Sequence, residues 1–102
     1  MKVEVYKSPQ KGKKYKIVIK YPDGTTKTIH IGSAGMEDYT THGDPDRKQR
    51  YIDRHKKRED WTKSGITTRG WWSRWLTWNE KTLQKSARDI RERFGIDVSL
   101  KI

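Results

Sequence analysis

Residues 44–79 read DPDRKQRYIDRHKKREDWTKSGITTRGWWSRWLTWN, a charged segment running into a tryptophan cluster. Asp44-Pro45-Asp46 opens a helix, because a carboxylate at that point can accept from the free N–H groups of the first turn and proline suits the first helical position. No Gly or Pro interrupts Arg47 to Asp60, so the helix is expected to run that far. At about 100° per residue, Arg47, Arg50, Arg54, Lys57 and Arg58 fall in one arc. Tyr51, Ile52 and His55 form a second arc, the one to bury, and Asp46, Asp53 and Asp60 flank the basic one. Two readings of that basic arc compete. It is either a solvated face with Asp46–Arg50 and Asp53–Lys57 pairs worth about 0.2–0.5 kcal/mol each, or a phosphate-contacting stripe that uses the fork geometry of Arg. The acids lie beside the stripe and leave its centre uncancelled.

All five tryptophans lie between Trp61 and Trp78. On a short helix Trp71, Trp75 and Trp78 share a face that Trp72 and Leu76 widen, leaving Ser73, Arg74 and Thr77 outward. The chain has a single Phe and few Leu, so these rings are expected to form the core. Stacking on unpaired bases is the other use such rings find.

A chain of 102 residues is read as one domain, 1–102. Its Lys and Arg number 24 against 13 Asp and Glu, a net charge of +11, which favours polyanionic partners, nucleic acid before an anionic membrane. No segment approaches the ~18 apolar residues of a membrane span, and the first residues carry no signal-peptide apolar run. The absence of cysteine removes disulfides and thiolate metal sites and suits life inside a cell rather than secretion.

Residues 1–31 read as a β-meander. Lys2–Tyr6 alternates, KSPQKGKK (7–14) is a basic turn, and Tyr15, Ile17, Ile19 and Tyr21 share a face. Pro22-Asp23-Gly24 turns the chain into a strand over Thr25–Ile31. Lys16, Lys20 and Lys27 are expected on the wetter face. Gly32–Gly43 reads as loop, 44–94 as the helical part, and SGITTRG (64–70) within it as a hinge-like connector. The last helix is expected over Glu80–Phe94, with Asn79 as its cap, Leu83, Ala87, Ile90 and Phe94 on its inner stripe and Gly95 as its stop. A final strand over 96–102 pairs with the first. The fold class is therefore α+β, a small antiparallel sheet (the N-terminal meander plus the C-terminal strand) covered by three helices.

His42, His55, Asp44 and Glu59 are the residues from which a metal-dependent nuclease would be built, with His30 as a further candidate ligand. Their spacings match no ligand pattern, and no phosphate loop, nucleophile elbow or CxxC pair is present. The sequence is read as non-enzymatic, without metal or cofactor. The glycines of GSAG (32–35) could cradle an anion.

IHIGSAGMEDYTTHGDPDRKQRYIDRHKKREDW (29–61), GITTRGWWSRWLTWN (65–79) and RERFG (91–95) occur in that order. With these blocks the chain resembles a family of small basic proteins of uncharacterised function, encoded by large DNA viruses of algae and amoebae and by some tailed phages. The resemblance implies a viral setting, in the virion or the interior of an infected host cell.

Charge and resemblance together lead to one expectation, a non-catalytic nucleic-acid binder that contacts phosphates through Arg47, Arg50, Arg54, Lys57, Arg58, Arg69, Arg74, Lys16 and Lys20, associated with the viral genome. The alternatives are a minor capsid or cement-type protein whose charge meets acidic capsid proteins, and a compact anti-defence protein that binds a small anionic signal or an enzyme.

Overall fold

The computed structural model describes residues 1–102. The apolar alternation of the first third forms strands β1 (Lys2–Lys7), β2 (Lys13–Lys20) and β3 (Thr26–Ser33), an antiparallel meander. Gly24, at φ 88°, turns β2 into β3, and the Asp23 carboxylate accepts from the Thr25 N–H at 2.9 Å. Register places Val3 opposite Ile19, Val5 opposite Ile17 and Ile17 opposite Ile29, so one face carries six buried aliphatic side chains. Lys27, opposite Ile19, has the parity of this buried face and lies at its exposed margin, away from Lys16 and Lys20.

β4 (Asp97–Leu100) pairs with β1 as expected, but parallel to it, giving a mixed sheet in the order β3-β2-β1-β4. A parallel neighbour needs a crossover, and the whole helical part supplies it, covering one sheet face.

Four helical segments form that cover. The first, α1 (Tyr39–His42), is one turn inside the stretch expected to be loop. Asp38 accepts from the Thr40 N–H while the Thr41 hydroxyl accepts from the Asp38 N–H, so a reciprocal cap holds a helix too short to show periodicity. α2 (Pro45–His55) starts as expected, with Asp44 accepting from the Asp46 N–H at 3.0 Å, but ends five residues before Asp60. Beyond His55 the chain has only Lys56, Lys57 and Arg58 to offer, and the two acids that follow take other partners. The Trp61 indole donates to Glu59 at 2.9 Å, and Asp60 accepts from the Thr62 N–H and the Ser64 hydroxyl.

The connector after Trp61 is stitched down rather than hinge-like. Buried indole N–H groups need acceptors, and this segment's carbonyls provide them. Trp71 donates to Thr62, Trp72 to Ile66 and Trp75 to Trp61, at 2.8, 2.7 and 3.0 Å. Gly65, in a 3₁₀ turn over Lys63–Gly65, packs so closely that a Cβ there would lie 1.9 Å from the Asp60 carbonyl oxygen.

α3 (Arg69–Trp72) passes directly into a π turn over Ser73–Thr77, where the Trp78 N–H reaches back to the Ser73 carbonyl. The wider turn changes which side chains point inward. Thr77, expected outside, is buried, and Trp78 swings away from the main core toward Tyr51. α4 (Leu83–Phe94) is capped by Thr82, not Asn79, and starts three residues later than expected. Asn79 is buried, its amide donating to Asp89 at 2.7 Å. Ile90 fills the inner stripe of α4 and Gly95, at φ 69°, ends it. The main core joins the sheet aliphatics to Ile66, Trp71, Trp72, Trp75, Leu76, Ile90 and Ile96.

Candidate nucleic-acid interface

Only five of the 24 Lys and Arg residues lie within 4 Å of a carboxylate. Part of the reason is local, since four of the 13 acids, Asp23, Asp38, Asp44 and Asp60, are spent on caps and turns. Asp44 caps α2, Asp60 holds the turn at Thr62, and Asp23 holds the turn at Thr25. Asp53 meets Gln49 and Lys56 rather than Lys57, and Asp46 makes no ion pair with Arg50.

The nine expected contact residues divide into three groups. Arg50 and Arg54 are exposed on α2 with no carboxylate partner, while Arg47 is half-buried with Nη1 3.5 Å from Glu37. Lys57 and Arg58 are exposed in the turn after α2, so they extend its basic face without continuing its arc. Arg69 is exposed at the start of α3 and lines the same cleft as Arg54. These six form the first group. Lys16 and Lys20 form the second, on the sheet face away from the helices, with Lys16 Nζ 4.9 Å above the Tyr6 ring and Lys20 Nζ 2.9 Å from Glu4.

Arg74 is the third, and it is not a surface contact. Its guanidinium lies 4.4 Å from the Trp75 ring centroid and 5.5 Å from that of Trp61, and it donates to the Trp78 carbonyl at 3.1 Å. The π turn and two flanking indoles draw it inward. Burial, and Arg93 close by, lower its pKa, and burial with Arg74 nearby does the same to Lys48, whose ammonium donates to the Asn79 carbonyl at 2.6 Å.

The cleft shared by Arg54 and Arg69 has a volume of about 410 Å³ and opens between the end of the β2–β3 hairpin, the C-terminus of α2 and the start of α3. Tyr51 forms part of its wall, stacked on His55 at 4.3 Å and on Trp78 at 4.5 Å. Burial and the nearby Glu59 charge push the Tyr51 phenol well above its usual pKa. Glu59 lies 3.5 Å from His55 Nδ1 and packs onto Gly70, where a Cβ would come within 2.4 Å of its carboxyl group. Lys13 and Met36, which the sequence did not single out, also line the cleft. Lys13 belongs to a stretch that looks like a solvated turn, and no local pattern marks Met36.

The three histidines stay apart in role. His42 Nδ1 accepts from the Asp44 N–H at 2.9 Å, with its ring against Trp78, and His30 Nδ1 lies 2.7 Å from the Ser8 hydroxyl. No three His, Asp or Glu side chains converge as metal ligands, so His42, His55, Asp44 and Glu59 do not form one site. No helix is long and apolar enough to cross a membrane.

A one-sided mixed sheet, helices held by indole hydrogen bonds and a largely unneutralised basic surface define a small basic α+β protein. A family of unknown function, DUF5754, matches residues 3–55, just over half of the chain, and the protein belongs to that family. The match takes in the meander and ends with α2, so it includes Arg54 and His55 of the cleft but not Glu59 or Arg69. No curated protein and no solved structure matches the chain.

Proposed function

We propose that this protein binds nucleic acid without catalysis, through phosphate contacts made by Arg50, Arg54, Lys57, Arg58 and Arg69. One observation carries the reading: these five cations, from α2, the turn after it and the start of α3, are exposed and none has a carboxylate within 4 Å. Counterion release from phosphates rewards such a surface whatever the base sequence. Arg47 sits at its edge, partly committed to Glu37. Lys16 and Lys20 would serve only a ligand that wraps to the far sheet face. The genome of a virus, inside the particle or the infected cell, is the partner this reading proposes from the chain's resemblance to small basic viral proteins.

The test is fluorescence anisotropy of labelled duplex and single-stranded DNA with nucleic-acid-free protein over a range of salt. Five contacts predict a log K against log [salt] slope of about −4 to −5 on duplex. A slope near zero, or affinity matched by an unrelated protein of equal charge, rejects the reading and turns attention to acidic protein surfaces such as a capsid shell.

A further inference from the structure

The cleft contains more than the phosphate-contacting face requires, and its surplus has a pattern. Of the large hydrophobic side chains left exposed, Met1 and Ile102 are chain ends, and the third, Met36, stands in the interior of the sequence on this cleft. An unburied thioether in the same cleft as Arg54, Arg69 and Lys13 gives the lining both an apolar, polarisable surface and three cations without carboxylate partners. The acids of the cleft are already engaged. Asp38 accepts from Lys14 at 3.0 Å and caps α1, Glu37 faces Arg47, and Glu59 is held by Trp61 and His55. His30 and His55 add two ring nitrogens to the lining.

A volume of about 410 Å³ falls at the small end of the ~300–1,000 Å³ typical of small-ligand sites. It suits one nucleotide and is too small for a length of duplex. We infer that the cleft is a nucleotide site: a single 5′-phosphate bound by Arg54, Arg69 and Lys13, with its base lying against Met36. The inference deepens the phosphate-binding reading, from which it takes Arg54 and Arg69 as anion contacts. It makes the cleft the place where one nucleotide is held, whether free or as the phosphorylated end of a strand. The mixed lining fits that ligand better than inorganic phosphate, which would leave Met36 without a role.

The experiment is an amide ¹⁵N–¹H titration of the full chain with adenosine 5′-monophosphate, adenosine and inorganic phosphate separately. The monophosphate should shift Gly32, Gly70 and Ser73 most, and bind roughly tenfold or more tighter than adenosine or phosphate. Arg54→Gln with Arg69→Gln should weaken it by a similar factor, Met36→Ser should weaken the nucleotide but not phosphate, and Arg88→Gln on α4 should change nothing. Shifts spread evenly over the basic surface, or a monophosphate that binds no better than phosphate, overturn the inference. The wild-type titration alone decides this, even if a variant fails to fold. A 5′-phosphorylated oligonucleotide that outcompetes its dephosphorylated copy identifies a strand end as the ligand, whereas failure of both to displace the monophosphate identifies the free nucleotide. Duplex binding with no nucleotide in the cleft would remove this site and leave the phosphate-contacting face intact. A nucleotide in the cleft with no affinity for long DNA would do the reverse.

Discussion

The rings of Tyr51 and Trp78 lie within 1° of parallel with centroids 4.5 Å apart, and they join α2 to the π turn. His55 covers the other side of Tyr51 at 4.3 Å. α2 shares few backbone neighbours with the rest of the protein, so side-chain contacts anchor it, this stack together with the Lys48 ammonium's bond to the Asn79 carbonyl. Tyr51→Ala should cost about 3 kcal/mol and loosen α2 first, detected as faster amide exchange there than in the sheet. Equal exchange throughout would show that α2 is held by something else.

The Tyr51 phenol also predicts alkaline sensitivity. Its pKa is raised in the folded state by burial and by Glu59, so the folded protein keeps a proton that the unfolded chain releases above pH ~10. Stability from this group is complete below that pH and falls as pH rises beyond it, by up to ~1.4 kcal/mol per unit. Urea midpoints between pH 8 and 11.5 should drop more steeply for the wild type than for Tyr51→Phe. Parallel curves would assign the alkaline loss to other groups.

Two glycines should respond differently to a methyl group. At Gly65 the added carbon would meet backbone, the Asp60 carbonyl at 1.9 Å, and at Gly70 it would meet the movable end of Glu59 at 2.4 Å. Gly65→Ala is expected to cost more than about 3 kcal/mol. Gly70→Ala should cost about 1 kcal/mol as Glu59 leaves the Trp61 indole. Thermal melts rank the two, and the reverse order would contradict this packing.

Arg74 should behave as a packing residue. Arg74→Lys keeps the charge but loses the planar stacking between Trp61 and Trp75, at about 1–2 kcal/mol, and should leave the salt dependence of DNA binding unchanged. A flatter slope in that variant would return Arg74 to the interface.

Charge reversal on α2 tests the proposed face directly. Arg50→Glu with Arg54→Glu should abolish measurable DNA binding with little loss of stability, because both side chains are exposed and lack carboxylate partners. Single Arg→Gln changes at Arg50, Arg54 or Arg69 should each reduce the salt slope by about one. Undiminished binding by the double variant would place the contact surface elsewhere.

What could be read in advance follows from range. Strand alternation, the Asp44-Pro45 helix start, the Gly95 stop and the tryptophan core are local or periodic signals, and all are present in the structure. Helix ends depart from their local signals where tertiary partners compete. Glu59 goes to an indole, Asn79 to Asp89, and the π turn moves Thr77 and Arg74 inward. The basic residues of α2 were visible as an arc. The meeting of Arg54 with Arg69, Lys13 and Met36 at one cleft depends on separate elements packing together, and no spacing within the chain encodes it.

The parallel pairing of Lys2 with Asp97 makes the first strand an interior strand that is completed last. A ribosome delivers β1 to β3 long before β4, so one side of β1 waits with free N–H and C=O groups while the helices are made. During that interval Val3 and Val5 lie beside an open edge, which any extended segment could occupy. The four residues of β4, together with the Lys101 N–H donating to the Val5 carbonyl at 2.8 Å, are what close it. A chain interrupted before Asp97 would retain its core residues and present the six-residue β1 as an edge, which the four-residue β4 replaces with a shorter one.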